Sequence, residues 1–188
     1  MVTLPASLLT LNFIFEGHFD QSLVSKVPST SIYVGEGLPA SLRTLVFGDL
    51  FNQPLVGMSL PASLQTLVFG DIFNQPLAGV SFPANLLTLS FGQQFNRPFD
   101  RVRLPASLRT LVLGDHFNQP LAGVSFPANL LTLTFGRQFN QPLVGVNLPA
   151  SLQTLTFGDH FNQPLAGVSL PSRCTVRGTC TEEASRSL

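Results

Sequence analysis

The chain has no tryptophan, one tyrosine and one lysine, Lys26. Only 11% of its 188 residues are charged, and ten acids balance ten bases. A nucleic-acid surface needs clustered Lys and Arg, so that class of partner is not expected. Disordered chains are charge-rich and poor in apolar residues, whereas 44% of this chain is apolar. Long hydrophobic runs are missing too. None approaches the roughly 20 residues that cross a bilayer, so no membrane partner is expected. Met1 is followed almost at once by Leu4-Pro5-Ala6-Ser7-Leu8, without a basic stretch leading into an apolar one. This argues against a signal peptide and favours a cytoplasmic location. Cys174 and Cys180 lie near the C-terminus with five residues between them. Two cysteines so placed could close a small loop or stay reduced, and they fix no redox compartment.

What the chain does have is repetition. Six copies of a 22-residue unit, written in full as LPASLQTLVFGDIFNQPLAGVS from Leu60 to Ser81, run without a gap from Leu38 to Ser169. The Leu/Phe-Pro pair marks each start, at Leu38, Leu60, Phe82, Leu104, Phe126 and Leu148, and recurs at Leu170. Leu60–Arg103 and Leu104–Asn147 agree at 34 of 44 positions, each joining an LPASL unit to an FPANL unit, which points to duplication of coil pairs. One unit cannot bury its own apolar face, so consecutive copies must stack into a solenoid with a continuous core. Residues 1–37 read as a degenerate N-terminal repeat or cap, residues 38–169 as the array, and residues 170–188 as a terminal coil stub and a polar tail, most of it frayed.

Within the unit, Thr66-Leu67-Val68-Phe69 alternates polar and apolar character, the pattern of a short strand with Leu67 and Phe69 inward and Thr66 and Val68 outward. Gly70 ends it. Pro61 and Pro76 exclude a regular helix through either flank, so the return path is expected as turns, 3₁₀ or extended chain. The expected inward set is Leu60, Leu64, Leu67, Phe69, Phe73, Leu77 and Val80. The predicted fold is therefore a β-rich solenoid with one short parallel strand per coil, open to self-association at its ends because polar caps are hard to find. The chain could equally be part of a longer array.

One polar residue follows an apolar Phe in every unit: Asn52, Asn74, Asn96, Asn118, Asn140 and Asn162. Set between core residues, this column is expected to be buried and to satisfy backbone groups at the turn beside the strand. The phrase LPASLxTLxFGxxFNQPL closely resembles the FNIP repeat, a 22-residue relative of the leucine-rich repeats, over Leu38 to Ser169 and more weakly from Leu4. This chain reads FNQPL or FNRPF where the namesake ends in Ile. The LxxLxL core of leucine-rich repeats is matched by Leu64, Leu67 and Phe69, but the following Asn stands five residues after Phe69 where three would be expected. The resemblance implies a leucine-rich-repeat-like solenoid and a non-enzymatic scaffold for protein interaction.

Chemistry is sparse. His116 and His160 share a coil position but lie two coils, about 10 Å, apart, and Gln138 between them does not complete a zinc set. Asp115, Arg137 and Asp159 read as an exposed ionic ladder. No catalytic set, metal or cofactor is expected. The outward strand face is the candidate binding surface: Thr44 and Val46, Thr66 and Val68, Thr88 and Ser90, Thr110 and Val112, Thr132 and Thr134, Thr154 and Thr156. Beside it the residue changes from coil to coil, through Arg43, Gln65, Leu87, Arg109, Leu131 and Gln153. An unknown protein partner is the first expectation for this face. A regular Thr grid also resembles the flat faces of ice-binding β-solenoids, and that is the second.

Overall fold

The computed structural model describes residues 4–12, 38–99 and 101–178. Eight three-residue strands are found among them: β1 (Thr10–Asn12), β2 (Thr44–Val46), β3 (Thr66–Val68), β4 (Thr88–Ser90), β5 (Thr110–Val112), β6 (Thr132–Thr134), β7 (Thr154–Thr156) and β8 (Thr175–Arg177). They form one parallel sheet in sequence order. Every threonine that opens a strand pairs with the threonine that opens the next.

The coil closes through three turns, the first just past the strand, where the Phe51 N–H donates to the Gly48 carbonyl at 3.0 Å. In the Pro-Ala-Ser segment the Leu64 N–H donates to the Pro61 carbonyl at 3.0 Å, and each LPASL or FPANL segment repeats this bond. Across Leu55-Val56-Gly57-Met58 the Met58 N–H reaches the Leu55 carbonyl at 2.9 Å, with Gly57 at φ +85. A positive φ at the third position of a four-residue turn is the type II geometry, which favours glycine. No helix is long and apolar enough to cross a membrane among the described residues.

Inside, the expected alternation holds. Leu67 is fully buried and Phe69 nearly so, while Thr66 and Val68 are half-buried. Leu64, Phe73, Leu77 and Val80 join the core, but Leu60 packs only against its margin. The phenylalanines form two columns. Within a coil the pair Phe69 and Phe73 stacks at 4.1 Å, and the other complete pairs lie at 3.8–4.0 Å. Between coils the Phe51 to Phe161 column stacks at 6.0–6.2 Å. Leu113 interrupts the other column. One coil earlier Phe99 stands where other coils have leucine, and it meets Phe91, Phe95 and Phe117 edge-on.

Two expectations need correction. The tail after Pro171, read as mostly frayed, carries a further strand, because Thr175–Arg177 pairs with β7 in register. A single missing residue hides it: Cys174 closes the turn on Pro171, as Leu152 does on Pro149, and Thr175 follows directly. Cys174 thus occupies a core leucine position and packs against the core edge. The asparagine column, secondly, is not buried. Asn52 to Asn140 are half-buried and Asn162 is exposed, because the column runs along the coil margin and its amides bridge coils there. Lys26, Asp100 and Cys180 lie outside the described residues.

Candidate functional site

The sheet face follows from strand geometry. Side chains alternate across a strand, so when the inward Leu is driven into the core the residues on either side must point out. Parallel register then aligns them from coil to coil at about 4.8 Å. The Thr column proposed from the sequence is one straight row, and it runs further than expected, from Thr10 in β1 to Thr175 in β8. The second row begins at Asn12, passes through Val46, Val68, Ser90, Val112, Thr134 and Thr156, and ends at Arg177. Thr10 was legible, since it follows Pro5 by the spacing that separates Thr44 from Pro39. The shortened last coil concealed Thr175.

Beside the Thr row, Arg43, Arg109 and Gln153 are exposed, while Gln65, Leu87 and Leu131 are half-buried. From Arg43 to Leu131 the carbonyls of this flanking row each accept two N–H groups from the next coil, and the Gln153 carbonyl accepts that of Thr175. Arg43 accepts from Gln65 at 2.8 Å and from Thr66 at 2.9 Å, and Arg109 accepts from Leu131 and Thr132 at the same distances. Their backbones are therefore fixed while their side chains vary. No aspartate or glutamate stands in these rows. Among the described residues, the aspartates lie past the strand ends, at Asp49, Asp71, Asp115 and Asp159.

At that margin the ionic ladder is shallow. Arg137 Nε lies 3.6 Å from Asp159 Oδ2 with both side chains about two-thirds exposed, and the Arg137 N–H reaches Asp115 Oδ1 at 3.4 Å. Exposed pairs of this kind contribute about 0–1 kcal/mol. His116 and His160 are exposed, and each binds the previous coil through its backbone N–H. No cluster of three or more His, Cys, Asp or Glu that could hold a metal occurs among the described residues. Burial pushes the Cys174 thiol above its usual range.

The asparagine column is the coil-to-coil fastener. Each Asn Oδ1 from Asn52 to Asn140 accepts the backbone N–H of the next Asn at 2.9–3.1 Å. The glutamine after the next Asn adds a second donor: Gln75, Gln119, Gln141 and Gln163 reach the same oxygens at 2.8–3.1 Å. Arg97 replaces the glutamine once and donates instead to the Asn74 carbonyl at 2.8 Å. Nothing in the sequence alone paired Gln with Asn across coils. On the opposite side Ser63, Ser107 and Ser151 donate to the carbonyls of Leu42, Leu86 and Leu130 at 2.6–2.7 Å. In FPANL coils, Asn85 and Asn129 reach instead to Ala62 and Ala106 at 2.9 Å.

Comparison with known proteins agrees with this construction. The chain is similar to the crystal structure of CroV588, described as a novel circular LRR protein, with 32% identity and a TM-score of 0.58. That likeness covers 93% of this chain and 30% of the other, so the chain spans about a third of its solved relative's length. No curated protein matches. The FNIP Repeat profile matches residues 34–72, 73–116, 95–138, 117–160 and 139–176. With its period, Asn column and parallel coils all in place, the chain belongs to the FNIP repeat family.

Proposed function

We propose that this solenoid is a non-enzymatic interaction scaffold that takes a protein partner on the outer face of its sheet. The observation that carries this reading is a constant row beside a variable one. The Thr row supplies an even floor of hydroxyl and methyl groups, and Arg43, Gln65, Leu87, Arg109, Leu131 and Gln153 vary over it on a fixed backbone. Affinity at protein interfaces concentrates in a few residues, arginine prominent among them. Arg43 and Arg109 stand three strands apart, about 14 Å at 4.8 Å per strand, and no acid faces them from the rows of the sheet. A partner bringing carboxylates at that separation fits best. The test is capture of partners from the source cell by the wild type, by Arg43→Glu/Arg109→Glu, and by Ala84→Glu/Ala128→Glu, a pair of exposed positions away from the sheet. A bound protein lost only with the arginine variant supports the reading. One retained by the arginine variant, or lost equally with both variants, overturns it.

The eight-membered Thr row favours a second reading, an ice-binding face, because ice needs a flat repeating grid. The Arg, Gln and Leu beside the row roughen it. We therefore expect no thermal hysteresis from the wild type or from Thr110→Lys/Thr132→Lys. A wild type that shapes ice crystals and a Lys variant that does not would exchange the two readings.

A further inference from the structure

We infer that copies of this chain add end to end, β8 of one copy pairing with β1 of the next, parallel and in the register of the existing coil junctions. Every junction in the array has one polarity. The first strand residue donates its N–H to the preceding coil, as Thr154 does to the Leu131 carbonyl at 3.0 Å. The residue just after the strand donates to the following coil, as Phe157 does to the Arg177 carbonyl at 2.9 Å. Among the described residues, β1 and β8 pair on one side only. At β1 the open side carries the Thr10 N–H. At β8, alternation along the strand turns the Val176 N–H outward, since Thr175 uses its own to reach the Gln153 carbonyl at 2.8 Å. An unpaired strand edge is a template for another strand.

The apolar layer is interrupted at the same two places. Leu45, Leu67, Leu89, Leu111, Leu133 and Leu155 are 0% exposed, whereas Leu11 and Val176 at the same position in β1 and β8 are only half-buried. Cys174 and Leu8 are half-buried at the outer ends of the neighbouring leucine column. A second copy suits these surfaces better than an unrelated chain, because β1 and β8 keep the strand register and the inward apolar position of the interior coils. Within the array, LPASL and FPANL coils already stack on each other in both orders. Charge does not oppose the contact, since Leu4–Asn12 carries no charged side chain to meet Arg173 and Arg177. The contact is heterologous, so it closes into a ring or runs on as a filament. It leaves the sheet face free, and stands or falls apart from the binding role proposed above.

The test uses sedimentation over a wide concentration range on the wild type, on Thr10→Pro and on Val176→Pro. Each proline removes one outward N–H and sparing the other edge. The wild type should grow in mass with concentration or settle as a ring, and each variant should associate at least about tenfold more weakly. An equimolar mixture of the two variants should form dimers and stop there, because only the β8 edge of Thr10→Pro and the β1 edge of Val176→Pro remain open. A monomeric wild type, variants that associate like the wild type, or a mixture that does not dimerise while the wild type grows would each overturn the inference. Far-UV circular dichroism checks that the variants fold. Independently of any substitution, amide exchange at Thr10 and Val176 in the wild type should slow as concentration rises, and concentration-independent exchange would also overturn it. Thr88→Lys, on the sheet face, should leave association unchanged.

Discussion

Asn118 shows how much one side chain does here. Its Oδ1 accepts the Asn140 N–H at 2.9 Å and the Gln141 amide at 3.0 Å, while its own N–H donates to Asn96. Leucine at this position strands two donors at a half-buried margin, and we expect a loss of about 1–3 kcal/mol in urea unfolding. Asn118→Asp keeps an acceptor oxygen and should lose much less at neutral pH; equal losses would mean that the contact is steric. Glycines divide by a different physical cause. A Cβ on Gly114 would run into the Gly92 carbonyl oxygen of the coil below, so Gly114→Ala has to push two backbones apart. Gly123 has open space around it but sits at φ +77, where an L side chain costs about 1–2 kcal/mol. Melting curves should therefore rank Gly114→Ala well below Gly123→Ala.

At the scale of the element, a three-residue strand has little stability of its own and exists because its neighbours hold it. Its alternation was legible because burying Leu67 and Phe69 settles where Thr66 and Val68 point. What the alternation could not reveal was β8. Thr-Val-Arg is weakly patterned, and its coil is one residue short. Strand pairing restores the register that the residue count had lost. The aromatic columns carry a further expectation. Phe99 touches the rings of Phe91 and Phe117, and these are the rings that a phenylalanine at 113 would meet by the pattern of the other coils. Phe99→Leu alone should cost about 1–2 kcal/mol, less than the roughly 3–5 of a Phe→Ala change. Adding Leu113→Phe should recover part of that loss, and a double-mutant cycle measures the coupling. Strict additivity would show that the two positions do not share space.

Across the whole molecule, stability comes close to a sum of coils and junctions. Removing Phe82–Ser125, two complete coils, joins Ser81 to Phe126 and places an FPANL coil on an LPASL coil, a junction the chain already contains. The shortened protein should fold with the same per-residue circular dichroism and a lower unfolding free energy. Removing 11 residues should instead break the register and unfold the array, because half a unit sets inward positions against outward ones. In dilute solution, hydrogen exchange should be slowest at Leu89 and Leu111, in the two middle strands, and faster towards Leu11 and Val176, following the number of junctions on either side.

The period, the Pro and Gly punctuation and the Leu/Phe alternation were sufficient by themselves to determine the solenoid, the parallel strand in each coil and the Thr row. These are local or periodic constraints, and a repeat applies them identically in every coil. Tertiary structure decided what depends on the distance between coils. It set the asparagines at the margin, where their oxygens reach the next backbone, and matched Gln75, Gln119, Gln141 and Gln163 to them. It also drew Thr175 into an eighth strand and left Leu11 and Val176 half covered. Spacing along a chain tells which residues recur. Only the stacking of one coil on the next tells which atoms come within hydrogen-bond reach, and which edges are left to pair.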